Sequence, residues 1–389
     1  MIHVSHFVGL SGVGGVQKNF VEYFNNQATS GLDNRLVHKI STLGKVDLRY
    51  QYKLSSEVCD IKNPKYLFSL ILDIISRNNI VHFYNNLTSL KVVILLFLLP
   101  VSNLLLHERG TIWNLHSSRG LLLRFVAWKA ELILANSNAT KIMLVEKFYI
   151  PNEKIRVLHN GIDTTIKCTK KPKYSYPSFF CIGFIGRLDT PKGVHVLIDA
   201  MHHLVKRNIK LIIAGNGVLE NALKTQARDL KNISFVGRII EPYSFLSSLD
   251  LLVVPSIREP LGNICLEAGL CKIPVLAANI DGIPEIIEHK VSGELIKATD
   301  EISIIFPKKS VPLPEFVVDP VSLKLYAPKQ INSHLLARKI LELSRDPERL
   351  RVYAINLYTK VIKYFNICRY ESELHAIYHE VFTHKKYRK

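Results

Sequence analysis

The amino-acid sequence predicts an α/β fold: two Rossmann-like domains in tandem, facing each other across a cleft. Three observations carry the prediction. At 389 residues the chain is longer than one comfortable core, so two domains of about 150–200 residues are expected. Short apolar, strand-like runs alternate with helical periods, and the alternation occurs in two series, the pattern of parallel sheets flanked by helices. Between the series lies "TIKCTKKPKYSYPS" (165–178), with four lysines, two prolines and nothing to pack, which reads as an interdomain linker.

In the first series "IHVSHF" (2–7) is a strand leading into a glycine loop, and "VQKNFVEYF" (16–24) is helical. "KYLFSLILDIIS" (65–76) places apolar residues at 67, 70, 71, 74 and 75, a helical period. "IVHFY" (80–84), "LLLHE" (104–108), "LILAN" (132–136) and "IRVLHN" (155–160) are strands, with a helix starting near Ser137. The most hydrophobic run, "VVILLFLLPVSNLLL" (92–106), is short for a bilayer span and is broken by Pro100, Ser102 and Asn103. It reads as the end of a buried helix, a turn and a buried strand.

The second series begins with "FFCIGFIGRL" (179–188) and the helix "GVHVLIDAMHHLVKR" (193–207), apolar at 194, 197, 198, 201, 204 and 205. "KLIIAGNG" (210–217), "ISFVGRI" (233–239), "LDLLVVPS" (249–256) and "IPVLAA" (273–278) follow as strands. Residues 303–330 hold five prolines and read as a loop-rich insertion. Helices are expected over 332–344 and 347–366. The expected division is an N-terminal domain over 1–168, completed by a C-terminal helix at about 367–389, and a C-terminal domain over 175–366.

Composition narrows the function classes. With 48% hydrophobic and 22% charged residues, disorder is excluded. The six cysteines (59, 168, 181, 265, 271 and 368) show no CxxC and no zinc-type Cys/His spacing, so free thiols in a reducing cytoplasm are expected. The N-terminus lacks the charged and long apolar regions of a secretory signal. A net charge of +18 favours anionic partners: nucleic acid, an anionic membrane surface or anionic small substrates. No nucleic-acid-binding module is visible. "HKKYRK" (384–389) is a short basic tail, and "RGLLLRFVAWKAEL" (119–132) spreads Arg119, Arg124 and Lys129 around its helix without one basic face.

The candidate chemistry lies in loops between strands and helices, where open parallel sheets bind ligands. "GLSGVGGVQKNF" puts Gly12, Gly14 and Gly15 before a helix, where backbone amides and the positive end of the helix dipole suit phosphate; a plain tight turn is the alternative. Its spacing departs from GxGxxG, since Gln17 stands at the last glycine position. "GRLDTPKG" (186–193) sets Arg187 and Lys192 between a strand and a helix N-terminus, a site able to hold a diphosphate without a metal. His107 ends a buried strand, where a histidine faces the ligand edge of the sheet; a structural role, the commoner one for a lone histidine, is the alternative. In "REPLGNICLEAGLCKIPVLAAN" the acids Glu259 and Glu267 flank the turn Leu261–Gly262–Asn263–Ile264, which offers amides to an anion while the acids can accept from vicinal hydroxyls. Carboxylates for hydroxyls, beside amides and cations for phosphate, describe a sugar nucleotide. No DxD motif for a divalent cation occurs.

In this order, the "GGVQ" loop, "HNGID" (159–163), "GRLDTPKG", "LIIAGNG", "FVGRI", "DLLVVPS", the two-glutamate segment and "DGIPEII" (281–287), the chain resembles the family 4 glycosyltransferases, the retaining GT-B group 1 enzymes. The resemblance implies that Glu267 holds the donor ribose, Glu259 contacts the transferred sugar, and the amides of Gly262, Asn263 and Ile264 help hold sugar and phosphate. It implies that Arg187 and Lys192 neutralise the diphosphate leaving group, with the amides of Gly14 and Gly15 assisting, and that His107 lies near the sugar. It implies a metal-independent hexosyltransferase without cofactor. The donor would be a nucleotide-sugar, a UDP-sugar before GDP-mannose, and the acceptor a glycan, lipid-linked, in bacterial surface polysaccharide or lipopolysaccharide synthesis. "EPLGN" replaces the family's commoner "EGFG", which keeps the acid and the glycine and changes the loop.

The expected location is cytoplasmic, with peripheral contact at the inner face of the cell membrane and no nucleic-acid partner. Two rival readings stand beside the transferase: a nucleotide-sugar 2-epimerase on the same fold, and a non-catalytic basic protein that binds a membrane surface.

Overall fold

The computed structural model describes all residues except 13, 31–34, 43, 52, 53, 55–57, 77, 86–89, 102, 169–177, 304–309 and 385–389. The chain forms two compact units, Met1–Asp163 with Phe365–Lys389, and Thr164–Tyr364. Most of the expected linker, and all but one residue of the basic tail, lie outside the described residues.

The first unit runs β1 (Ile2–Phe7), α1 (Gly15–Ser30), β2 (Leu36–Thr42), α2 (Leu48–Gln51), β3 (Val58–Asp60), α3 (Pro64–Ile75), β4 (Asn79–Tyr84), α4 (Leu90–Leu98), β5 (Leu104–Glu108), α5 (Gly120–Lys129), β6 (Leu132–Ala135), α6 (Asn138–Ile142) and β7 (Ile155–Val157). Its seven strands are parallel in the order β3-β2-β1-β4-β5-β6-β7. The central strands β4 and β5 are buried at every position, as expected where helices cover both faces of a parallel sheet. Local chemistry sets several helix starts. Asn63 accepts from the Lys65 amide and Pro64 opens α3, while Ser137 accepts from the Thr140 amide at α6. Strands β2 and β3 were not legible in the sequence: "LVHKIST" lacks a period-2 apolar pattern and buries the polar Ser41 and Thr42, and β3 has three residues.

The run 92–106 differs from its expectation. Leu96 and Val93 of α4 are buried, but Ile94, Phe97 and Leu98 are exposed, so the helix is apolar on its core face and on its outer face alike.

The second unit runs β8 (Phe180–Ile185), α7 (Val194–His202), β9 (Ile209–Ala214), α8 (Glu220–Gln226), β10 (Ile233–Gly237), α9 (Pro242–Leu246), β11 (Leu251–Val254), α10 (Asn263–Leu270), β12 (Val275–Ala278), α11 (Ile283–Ile286), β13 (Glu294–Ile296), β14 (Ala298–Asp300), β15 (Val317–Val318), β16 (Leu325–Tyr326), β17 (Gln330–Ile331), α12 (Ser333–Ser344) and α13 (Pro347–Tyr364). Six strands form a parallel sheet in the order β10-β9-β8-β11-β12-β13. The insertion 303–330 is more ordered than a loop: among its described residues β15 and β16 form an antiparallel pair, β17 pairs with β14, and Val317 and Val318 are buried.

The last helix, α14 (Ile367–His384), belongs to the first unit. It packs on α1 and sends Tyr370, Leu374, Ile377 and Tyr378 into the core with Val4, Tyr23, Leu105 and Leu134. Arg156 of β7 holds Glu380 through two 2.7 Å hydrogen bonds. All six cysteines are free thiols.

Candidate functional site

In the second unit the loop after β8 and the loop after β11 are built into one structure. The Ile257 and Arg258 amides both donate to the Pro191 carbonyl, at 2.9 and 3.3 Å. Gly193 sits between Lys192 and α7 with φ of 64°, and a Cβ there would stand 2.0 Å from the Pro255 carbonyl oxygen, so this close approach requires glycine. The approach sets Lys192 against Glu259: Nζ donates to Oε2 at 2.5 Å, and the Ser256 hydroxyl donates to the same oxygen at 3.2 Å.

Glu259 is buried and its main chain is also held. Its amide donates to Asp281 Oδ2 at 2.9 Å, while Asp281 Oδ1 accepts from the Val318 amide at 2.7 Å. Asp281, the first residue of "DGIPEII", therefore ties the acid's loop to β15. Asp189 makes a similar tie, with Oδ1 accepting from the Thr190 amide at 3.0 Å and from the Val311 amide at 3.1 Å. The insertion, to which the sequence assigned no role, is thus pinned by both aspartates to the loops that carry the candidate cation and acid.

Arg258 is buried beside Glu259. Burial pushes its guanidinium below the ordinary arginine value; the charges of Glu259 and Asp281 oppose this and that of Arg187 adds to it. Arg187 itself is exposed, and Lys192 is half-buried. Gly262 precedes α10 with φ of 98°, a left-handed turn that lets the helix begin at Asn263. Asn263 and Ile264 are half-buried in the first turn, where amides have no intrahelical acceptor, and Glu267 is half-buried one turn on. The structure thus brings Lys192 and Glu259 into direct contact and puts Gly262, Asn263, Ile264 and Glu267 at the helix start that follows, while Arg187 is exposed and acts electrostatically on Arg258.

In the first unit Gly14 and Gly15 are exposed at the start of α1, and Gln17 closes the loop by donating to the Gly9 carbonyl at 2.9 Å. His107 lies at the C-terminal end of β5 and is fully buried. Sheet register puts His6 opposite His82 and Tyr84 opposite His107, so the rings gather in one cluster with Tyr370 of α14. Among the described residues neither ring nitrogen of His107 has a hydrogen-bond partner, and burial followed by the charge of Arg109 holds its pKa well below the usual imidazole value.

The next two residues shape the loop. Glu108 accepts from the amides of Gly110 at 2.8 Å, Thr111 at 2.5 Å and Ile112 at 3.2 Å. Arg109 is buried and donates to Asn160 Oδ1 at 2.5 Å and to Asn19 Oδ1, while Asn19 donates to the Gly161 carbonyl at 2.5 Å. "HNGID" is therefore a structural knot between α1 and the loop after β5. The Arg109 guanidinium is thus engaged within the first unit. Asp189, Asp281, Asn19 and Asn160 escaped the sequence reading, although all four lie inside quoted motifs, because a local pattern does not say which distant amide a side chain accepts from.

Comparison with known proteins adds the following. A family model described as "Glycosyl transferases group 1" matches residues 164–305, and one described as "Glycosyltransferase Family 4" matches 59–166. The chain is 26% identical over 184 residues to the Staphylococcus aureus capsular polysaccharide biosynthesis glycosyltransferase CapM, covering 43% of this chain and 48% of that protein. It is 28% identical over 181 residues to a Campylobacter jejuni N-acetylgalactosamine-N,N'-diacetylbacillosaminyl-diphospho-undecaprenol 4-alpha-N-acetylgalactosaminyltransferase, covering 45% of this chain and 49% of that one. The chain spans about half the length of the curated relatives it matches. Among solved structures, Anabaena Alr3699/HepE in complex with UDP and glucose superposes with a TM-score of 0.72 at 19% identity, over 97% of this chain and 99% of that one.

Proposed function

Because the chain belongs to the group 1 glycosyltransferases and has the GT-B fold, we propose that it is a retaining glycosyltransferase. It moves a sugar from a nucleotide-sugar, a UDP-sugar, to a lipid-linked glycan acceptor in the synthesis of a bacterial surface polysaccharide or lipopolysaccharide, at the inner face of the cell membrane. Relatives named for capsular polysaccharide synthesis and for an undecaprenyl-diphosphate acceptor, and a structural neighbour with bound UDP, support this reading.

The observation that carries it is the contact of half-buried Lys192 with buried Glu259, whose loop leads into α10. A cation, an acid and a helix N-terminus in one place suit a ligand that is anionic at one end and hydroxylated at the other. In the proposed roles Glu267 accepts from the ribose hydroxyls and Glu259 from a hydroxyl of the transferred sugar. Arg187 and Lys192 balance the diphosphate, with the amides of Gly262, Asn263 and Ile264 beside them. Gly14 and Gly15 offer amides to phosphate from the start of α1.

For His107 the proposed role is contact with the sugar. Buried polar atoms almost always have partners, so two bare ring nitrogens support a role that a substrate hydroxyl would satisfy.

In the reaction the acceptor hydroxyl oxygen bonds to the anomeric carbon from the face that the leaving group vacates. The bond from that carbon to the phosphate oxygen breaks with its electron pair leaving on the nucleoside diphosphate, and the acceptor proton passes to the departing phosphate oxygen. The protein's part is preorganised charge at the phosphate; no metal is assigned to the reaction.

Calorimetry with UDP, GDP and ADP, with and without EDTA, on the wild type and Glu267→Ala tests the reading. Selective, EDTA-insensitive binding of one nucleotide that the variant loses is expected. Failure of every nucleotide to bind would overturn the roles given to both glutamates.

A further inference from the structure

We infer that the outer face of α4 and α5 is a docking surface for an anionic lipid bilayer. Helices α3, α4 and α5 each connect parallel strands in the same direction across the sheet, and right-handed crossovers put them on one face, opposite α1 and α14. On that face Phe97 is 67% exposed, Leu98 71%, Leu121 72% and Trp128 70%. Single exposed apolar residues need no explanation, but these are joined. The Phe97 and Phe125 rings lie 5.7 Å apart and those of Phe125 and Trp128 6.1 Å, so an aromatic stripe crosses from one helix to the other. Since Val93 and Leu96 already fill the core side of α4, the apolar outer side does nothing for the interior of the unit.

The charges around the stripe select the occupant. Neither α4 nor α5 contains an acid, while α5 carries Arg124 and Lys129 and Arg119 immediately precedes it. The Lys129 ammonium lies 5.5 Å from the Trp128 ring and the Arg124 guanidinium 5.9 Å from the exposed Tyr149 ring. Indole and phenol paired with cations at the edge of an apolar patch match the interfacial layer of a membrane, where rings sit at headgroup depth and cations reach the phosphates. A chain charge of +18 draws such a surface to anionic lipid before any apolar contact forms. The absence of one basic face on α5 is therefore no obstacle: insertion is by the aromatic stripe, with Lys129 beside its Trp128 end. Among the described residues no helix is long and apolar enough to cross a membrane, so the contact is peripheral.

This inference rests on the lipid-linked acceptor reading for its purpose, and the experiment separates the two. The chain has two tryptophans, and Trp113 is buried. Tryptophan emission is therefore followed while vesicles of phosphatidylcholine with phosphatidylglycerol, or phosphatidylcholine alone, are added. Binding is measured in parallel by co-sedimentation, for the wild type, Trp128→Phe, and the double variant Phe97→Ser with Leu98→Ser. The expected result is a blue shift and sedimentation with the anionic vesicles, weakened by salt. The shift disappears in Trp128→Phe, and affinity falls about tenfold or more in the double variant. Equal binding by the double variant and wild type, or no binding to anionic vesicles, overturns the proposal. So does a concentration-dependent dimer that the double variant abolishes, which would assign the face to a second copy. UDP calorimetry on the same proteins distinguishes the failures: vesicle binding without nucleotide binding removes the transferase reading and leaves the docking face.

Discussion

Lys192 and Glu259, 67 residues apart in the chain, meet with Nζ and Oε2 separated by 2.5 Å. Removing the ammonium leaves a mostly buried carboxylate that keeps the Ser256 hydroxyl on that oxygen. Lys192→Ala is expected to cost on the order of 2 kcal/mol of stability, because the pair keeps some solvent contact, and to lower turnover by about 10²-fold or more through the loss of charge at the phosphate. Lys192→Arg should recover most of the stability and only part of the rate. Urea unfolding and steady-state kinetics read the two effects separately; a variant with unchanged turnover would remove Lys192 from the reaction.

The two glutamates should separate kinetically. Glu267→Ala is expected to weaken UDP binding about tenfold or more with a small effect on turnover of bound substrate, as for a group that grips ribose in ground and transition state alike. Glu259→Gln keeps the shape but removes the charge facing Lys192, and is expected to lower kcat with little change in nucleotide affinity. The same KM and kcat pattern from both variants would contradict the assignment.

Asp281 holds the amides of Glu259 and Val318 on its two oxygens, so it joins the site to the insertion. Asp281→Ala is expected to cost about 2–3 kcal/mol. Asp281→Asn should fare little better, since its amide group would point N–H at one of the two N–H donors. Hydrogen exchange at Val318 should accelerate in both variants, and unchanged protection would show that the insertion holds its place by packing alone.

Stability should fall on acidification. His6, His82 and His107 are fully buried, and burial holds each pKa well below the imidazole value of the unfolded chain. Above an unfolded value of about 6.5 both states are neutral and the three groups have no effect; below it the unfolded state binds protons that the folded state refuses. Each group then removes up to about 1.4 kcal/mol per pH unit. The urea midpoint should be level above neutrality and drop between about pH 6.5 and 5. His107→Phe should stay folded and shed about one proton from that slope, and a loss of transfer in the folded variant would support the proposed contact with the sugar.

Much of the molecule was legible in its sequence, and the reason is locality. Hydrophobic runs and helical periods report which faces are buried within a few residues, and so the two parallel sheets and the long helices could be read. The positions of Arg187 and Lys192 between β8 and α7, and of Gly262, Asn263 and Ile264 at the start of α10, were readable for the same reason: strand end, turn and helix start are neighbours in the chain. What only the tertiary structure decided depends on partners far away. Asp189 reaches an amide 122 residues on, Asp281 one 37 residues on, and Arg109 bonds to Asn19, 90 residues back. The insertion became part of the site through two such bonds, His107 became a core residue through sheet register, and α4 proved apolar on a side that no core covers. Sequence by itself determined which residues want burial, charge or a turn; closure of long loops decided which of those wants were met, and by what.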